Sequence, residues 1–106
     1  MSEQPGVSQS FATFLSQTPR HAKAWMAAVD GLSNASALDA KTSHLAYLAV
    51  LAALRLESGV PFHTGLAKRA GASREEVASA ILIGLPAAGN AVTQVLPAAL
   101  AAYDAA

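Results

Sequence analysis

Residues 38–72, LDAKTSHLAYLAVLAALRLESGVPFHTGLAKRAGA, decide the fold because they contain the strongest helical pattern in the chain. Asp39 is a good N-cap for a helix that continues to Glu57. One apolar stripe along this helix comprises Leu45, Leu48, Ala49, Ala52 and Leu56. The other apolar residues are Tyr47, Val50, Leu51 and Leu54. They make the middle of the helix apolar nearly all round, which predicts a central, buried helix.

The sequence on either side of this helix is helical as well. SGV at 58–60 breaks the pattern, and Pro61 fits the first turn of the next helix, which Gly71 ends as the C′ residue. Ser73 and Glu76 form a capping box for a fifth helix that ends near Pro86. Before the central helix, FATFLSQ predicts a short helix and Thr18-Pro19 begins another, followed by a loop at 31–38. The last predicted helix follows Gly89 and is kinked or restarted at Pro97.

No segment reads as a strand, so we predict an all-α protein of five to six helices. With 106 residues the chain is one domain, which we place at 10–106 after a frayed tail at 1–9. The chain is 53% hydrophobic and only 13% charged, which is more apolar surface than one small domain buries. No apolar run reaches the ~20 residues of a membrane span. We therefore expect a homo-oligomer that does not enter a membrane.

Composition also excludes several classes of function. Seven basic residues balance seven acidic ones without clustering, so nucleic-acid binding has no support. No cysteine is present, which removes disulfides, thiol catalysis and cysteine-ligated metals. The N-terminal residues do not resemble a secretory signal, so we expect a cytoplasmic protein. No histidine pair has the spacing of a helical metal site, and no phosphate-binding loop occurs, so we predict neither a metal nor a cofactor.

The best candidate for chemistry is His63, two residues after Pro61. The positive end of a helix dipole disfavours an imidazolium there, and a neutral imidazole suits a general base. The competing interpretation is a structural histidine that packs on Phe62. His44 lies about 18 Å before the end of the central helix, at 1.5 Å per residue, which could place it far from His63.

The remaining polar residues near this turn have simpler interpretations. For Arg55 and Glu57 we favour a solvated ion pair. For His21, which lies beside Arg20 at an earlier helix start, we favour a surface position.

Taken together, residues 38–92 resemble the carboxymuconolactone decarboxylase and alkylhydroperoxidase D-like family. The features that carry the resemblance are the LDAKT helix start, the apolar helix and short turn, and the histidine that opens HTGLAKRAGASREEV. TPRHAKAWMAAVDGL at 18–32 is also similar to the family's preceding helix. The resemblance implies an all-α fold that assembles as trimers or hexamers.

The family contains two chemistries, and this chain departs from both. The resemblance places the thiols of the peroxidase branch at Leu56 and Gly59, and its relay glutamate at His44. Without a thiol, thiol peroxidase chemistry is excluded. The decarboxylase branch keeps a histidine that matches His63, but its usual acidic residue is Gly59 here. In the family, the position of His44 lines the same pocket as that of His63.

Two hypotheses follow. In the first, His63 and His44 transfer protons on a small carboxylated or lactone-like metabolite, while Tyr47 or Arg55 holds an anionic group. In the second, the protein has lost catalysis and binds a small ligand or serves as a scaffold.

Overall fold

The computed structural model describes residues 8–106, which form an all-α fold with no strand in that range. Six helices have nine residues or more: α1 (Gln9–Gln17), α2 (Pro19–Ala35), α3 (Ala40–Leu54), α4 (Val60–Arg69), α5 (Arg74–Leu82) and α7 (Leu96–Ala105). A single-turn helix, α6 (Leu85–Ala88), and two 3₁₀ segments, Glu57–Gly59 and Asn90–Val95, complete the described part. The predicted fold class is therefore confirmed.

The first two helices form a hairpin. Ser8 caps α1 by accepting a hydrogen bond from the backbone N–H of Phe11, so Ser8 and Gln9 of the predicted tail already belong to a helix start. Residues 1–7 of that tail lie outside the described part. Pro19 begins α2 as predicted, but the Thr18 hydroxyl donates to the Phe14 carbonyl at 2.7 Å and makes no capping bond to α2.

The loop predicted at 31–38 is shorter in the structure, because α2 continues through Ala35. Gly31 and the polar residues that follow it are typical of a loop, but an exposed glycine lowers helix stability by only about 1 kcal/mol. Asp39 caps α3 as predicted, with its carboxylate accepting from Thr42 N–H at 2.8 Å.

The central helix α3 ends three residues before the predicted Glu57. Arg55 adopts the left-handed conformation with φ of 58°, and Leu56 N–H donates to the Leu51 carbonyl at 2.9 Å. This is a Schellman ending with an arginine where glycine is usual. The helix is therefore broken by the Arg55 backbone before the SGV segment is reached.

The next two helices match the prediction closely. Pro61 lies in the first turn of α4, and Gly71, with φ of 100°, follows its end. Ala72 N–H then donates to the Ala67 carbonyl at 3.0 Å, which completes a second Schellman ending. The predicted capping box of α5 is present, with Ser73 accepting from Glu76 N–H at 3.0 Å.

Beyond α5 the chain is more broken than predicted. The fifth helix ends at Leu82, and Pro86 lies inside the separate single turn α6. Gly89 has φ of 84° and ψ of −177°, a conformation that is essentially restricted to glycine. The helix predicted after it begins as a 3₁₀ segment and restarts as α7, with Pro97 in its first turn.

The core lies between α3, α4, α5, α7 and the second 3₁₀ segment. Its largest fully buried side chains are Leu48, Ile81, Val60, Val77, Val92, Val95 and Thr64. We call α3 to α7 the body of the molecule. Tyr103 and Lys68 tie α7 to α4, since Lys68 Nζ donates to the Tyr103 carbonyl at 2.8 Å and lies over its ring.

The prediction that α3 is buried all round is wrong for the isolated chain. One face, with Leu48, Leu51 and Ala52, is buried in the core. The opposite face remains exposed, with Tyr47 at 48%, Val50 at 52% and Leu54 at 61% of full exposure. An apolar pattern shows that a helix face can be buried. It does not show whether residues of the same chain cover that face.

Among the helices of residues 8–106, none is long and apolar enough to cross a membrane.

Candidate functional site

The turn between α3 and α4 brings His63 back alongside the middle of α3. A side chain at Gly59 would lie 3.6 Å from Leu51, and the His63 ring lies against Tyr47. Contacts at 59–51 and 63–47 define an antiparallel pair, because one helix advances four residues as the other retreats four. The second helix therefore folds back alongside the first, and His63 is far enough into α4 to reach the middle of α3.

His63 packs between two aromatic rings. Its ring centroid lies 4.3 Å from that of Tyr47, with the planes tilted by 41°. Phe62 meets the same imidazole edge to face, at 5.3 Å and 89°. The packing on Phe62 that a structural role requires is thus present, and so is a contact with α3. These contacts limit the orientation of the imidazole, which is half-buried.

The environment favours the neutral form of His63. Burial lowers the pKa of His63 below the ordinary value of 6.5, and the nearby His44 lowers it further, since two imidazolium ions would repel each other. The direction agrees with the expectation from the sequence, but burial comes first as the cause, where the helix dipole had been expected. A neutral imidazole at physiological pH can accept a proton.

The structure therefore brings two of the predicted site residues into contact, His63 on α4 and Tyr47 on α3, and His44 on α3 is near enough to His63 to lower its pKa. His44 and Tyr47 are three residues apart on one helix and so project from adjacent positions on its surface. We call His44, Tyr47 and His63 the histidine cluster.

Arg55 stands at the end of α3 with an exposed side chain. The ion pairs of the described part are Lys41–Glu76 and Arg74–Asp104, so the expected pair between Arg55 and Glu57 is absent. Within residues 8–106, Arg55 is the non-glycine residue with positive φ. A left-handed residue with a side chain costs roughly 1–2 kcal/mol.

The positions that the resemblance assigned to thiols form one turn. Gly59 N–H donates to the Leu56 carbonyl at 3.2 Å, and both residues lie within the four positions before α4. Leu56 is half-exposed and Gly59 has no side chain. Two apolar positions therefore occupy the place next to His63 where a dithiol would be, and no redox-active group stands there.

One polar residue near the site was missed by sequence reasoning. Thr64 follows His63 and is fully buried, and its hydroxyl has no hydrogen-bond partner among residues 8–106. Its position on the core side of α4 was detectable from the apolar residues Val60 and Ala67, one turn before and after it. A buried hydroxyl without a partner costs stability, and nothing in the structure explains it.

Other candidate sites lack this concentration of groups. A shallow surface depression at the α1–α2 junction is lined by Gln17, Thr18, Pro19, Arg20, His21 and Ala24. It does not include the histidine cluster, and His21 is exposed as expected. Among residues 8–106, no three histidine, aspartate or glutamate side chains are grouped as a metal site would require.

The fold and the cluster define a class: small all-α proteins with a histidine in the first turn of a helix, packed against a central apolar helix. A sequence model of the Carboxymuconolactone decarboxylase family matches residues 19–102. The chain belongs to this family. It has no significant match among curated proteins or among solved structures.

Proposed function

We propose that this protein transfers protons on a small carboxylated or lactone-like metabolite, with His63 as the principal acid or base. The observation that supports the proposal most directly is the half-buried imidazole of His63, which packs on Tyr47 and whose pKa is lowered by burial and by the nearby His44. Membership of the Carboxymuconolactone decarboxylase family supports the substrate class. The absence of cysteine from these 106 residues leaves no thiol for peroxide reduction.

In the proposed reaction, the lone pair of the His63 imidazole takes a proton from a carbon next to the lactone carbonyl. The electron pair of the broken C–H bond then moves into the carbonyl, which gives an enolate and an imidazolium. Return of the proton to a different carbon completes an isomerisation. In a decarboxylation, loss of carbon dioxide leaves the same enolate, and a proton from solvent reaches it through His63 or His44.

His44 and Arg55 have supporting roles in this proposal. His44 stands where the resemblance expects a relay glutamate, and an imidazole can likewise give and take a proton. Arg55 offers an exposed guanidinium at the α3–α4 turn, where a carboxylate of the substrate could pair with it. The strained backbone at Arg55 is consistent with a functional requirement for the side chain at this position.

The test is turnover of a panel of γ-lactone acids, including carboxylated ones, followed by NMR in deuterium oxide. We expect deuterium incorporation or release of carbon dioxide by the wild-type protein, and a loss of about 100-fold or more in His63→Gln. His44→Gln should give a smaller loss. His21→Gln is the matched control, since His21 is exposed and outside the cluster. Full turnover by a folded His63→Gln protein would contradict the proposal.

A second candidate is a family member that binds a small ligand without turning it over. Leu56, Gly59 and His44 depart from the residues that the resemblance expects, which favours this alternative. The same panel separates the two hypotheses. Perturbation of the His63 and Tyr47 NMR signals by a lactone acid that is neither exchanged nor decarboxylated would support the binding protein and reject the enzyme.

A further inference from the structure

Two aromatic rings contact His63, and one of them carries a polar group. Phe62 meets the imidazole with its edge and has no hydrogen-bonding atom in its side chain. The Tyr47 ring centroid lies 4.3 Å from that of the imidazole, and the Tyr47 hydroxyl can donate a hydrogen bond. Tyr47 remains 48% exposed although it packs on His63. Because the two rings are in contact and both are partly exposed, a ligand that touches His63 can touch Tyr47 as well.

The two tyrosines of the chain use their hydroxyls differently. Tyr103 on α7 donates its hydroxyl hydrogen to the Ala72 carbonyl at 2.9 Å, so this hydroxyl holds the fold together. Within residues 8–106 the Tyr47 hydroxyl forms no such bond, although the Tyr47 ring is held by its contact with His63. A phenylalanine at this position would supply the same ring contact. The hydroxyl of Tyr47 is therefore a donor with no structural task in the described part of the chain.

The proposed reaction needs a hydrogen-bond donor beside its base. When His63 removes a proton from the carbon next to the lactone carbonyl, negative charge develops on the carbonyl oxygen. A donor aimed at that oxygen lowers the barrier, because its hydrogen bond is stronger to the charged oxygen than to the neutral carbonyl. The acidic carbon and the carbonyl oxygen are two bonds apart in the substrate. The base and the donor must therefore be neighbours, as His63 and Tyr47 are.

Other donors near His63 fit this task less well. The Thr64 hydroxyl is next in sequence, but Thr64 is fully buried on the core side of α4, where a substrate cannot reach it. Arg55 follows Tyr47 by eight residues, about 12 Å along the chain of α3 at 1.5 Å per residue, and its side chain is exposed at the turn. The Tyr47 hydroxyl is also uncharged, so it does not repel the imidazolium that forms on His63.

We propose that Tyr47 is a catalytic residue whose hydroxyl donates a hydrogen bond to the lactone carbonyl oxygen and stabilises the enolate. This inference rests on the proposed function. As the C–H bond breaks, its electron pair forms the carbon–carbon double bond of the enolate, and a carbonyl electron pair moves onto the oxygen. The proton is then on His63, and Tyr47 keeps its own proton throughout. The inference leaves Arg55 to bind the carboxylate and assigns the carbonyl to Tyr47.

The first experiment removes the hydroxyl and keeps the ring. Tyr47→Phe should lower kcat for a lactone acid of the panel about 100-fold and leave KM almost unchanged, because the lost hydrogen bond acts mainly on the enolate. Tyr103→Phe is the matched control, since it removes a hydroxyl that bonds the Ala72 carbonyl. That variant should be less stable but keep the wild-type kcat per folded protein. A wild-type kcat in Tyr47→Phe would overturn the proposal.

The second experiment measures binding of a stable enolate and needs no turnover. Tetronic acid is a γ-lactone that is present as its enolate anion at neutral pH. Tyr47→Phe should weaken tetronate binding about tenfold or more, as expected for a lost hydrogen bond to a charged oxygen. Binding of neutral γ-butyrolactone, the matched ligand, should change much less. Equal affinity of the wild type and Tyr47→Phe for tetronate, or no binding by the wild type, would overturn the proposal.

The two experiments separate failure of this inference from failure of the proposed function. Turnover that is lost in His63→Gln but complete in Tyr47→Phe would leave the proposed function standing and reject the role of Tyr47. If the wild-type protein turns over no lactone acid, the proposed function fails. The tetronate titration then decides whether the Tyr47 hydroxyl binds the oxygen of a lactone enolate.

Discussion

The longest helices of the hairpin and of the body, α2 and α3, both have an apolar surface but differ greatly in burial. Both α2 and α3 are amphipathic or apolar helices that begin after a good start signal, at Pro19 and Asp39. Yet α3 buries Leu48, Leu51 and Ala52 against the other helices of the body, whereas α2 buries Ala22 alone. Apolar periodicity therefore specifies a helix and the face that can be buried. Which residues cover that face depends on tertiary contacts.

The largest expected difference between the two regions is the cost of removing a leucine side chain. Leu48→Ala should lower the free energy of unfolding by about 3 kcal/mol, because Leu48 is fully buried and the change leaves a cavity. Leu32→Ala should cost less than about 0.5 kcal/mol at dilutions where the chain is monomeric. Urea unfolding followed by circular dichroism measures both. Equal costs at dilution would mean that the hairpin packs on its own body.

A smaller difference should separate two N-cap positions. Ser73→Ala should lower the free energy of unfolding by about 1 kcal/mol, since Ser73 accepts from Glu76 N–H and the capping box is lost. Thr18→Ala should cost clearly less, because the Thr18 hydroxyl bonds back to α1 and does not cap α2. Thermal unfolding of the two variants makes the comparison. An equal effect would show that Thr18 caps α2 in solution.

The smallest effect is a pH dependence that arises in the body. The pKa of His63 is lower in the folded protein than the ordinary 6.5, because of burial and His44. Between these two pKa values the unfolded chain binds more protons, so the free energy of unfolding falls as the pH falls through this interval. The contribution of His63 is complete above the ordinary value and lost below its own pKa.

Urea unfolding at several pH values between 5 and 8 measures this dependence, with His63→Gln for comparison. The variant should have a flatter profile, and His21→Gln on the exposed hairpin should follow the wild type. The pKa values of Glu76 and Asp104 are lowered, chiefly by hydrogen bonds to Ser73 and Arg74, so these carboxylates titrate at lower pH in all three proteins. A wild-type profile as flat as that of His63→Gln would show that His63 does not titrate differently in the folded state.

Much of the local structure could be predicted because it depends on residues close in sequence. The cap at Asp39, the proline starts at Pro19 and Pro61, the ending at Gly71 and the capping box at Ser73 each depend on a backbone preference or a hydrogen bond within one turn. The ending at Arg55 could not be predicted. Glycine usually takes the left-handed conformation, and the Leu56–Leu51 hydrogen bond compensates for an arginine there.

The candidate site was predicted in part. The position of His63 at the start of α4 follows from Pro61, and its role was suggested by the family resemblance. The contact with Tyr47 could not be derived from spacing alone, since it depends on how far α4 returns along α3. The cause of the lowered pKa was also beyond the sequence, because burial is a property of the assembled helices.

The all-α fold, the starts of most helices, the lack of a thiol and the histidine at the start of α4 could all be inferred from the sequence. These features depend on local preferences and on composition, which need no knowledge of distant contacts. The tertiary structure was needed to show that His63 contacts Tyr47, that Arg55 ends α3, and that apolar surfaces of α2 and α3 remain uncovered within residues 8–106. The reason is that burial and contact arise from the relative placement of whole helices. The same apolar pattern is compatible with burial inside one chain or between two chains.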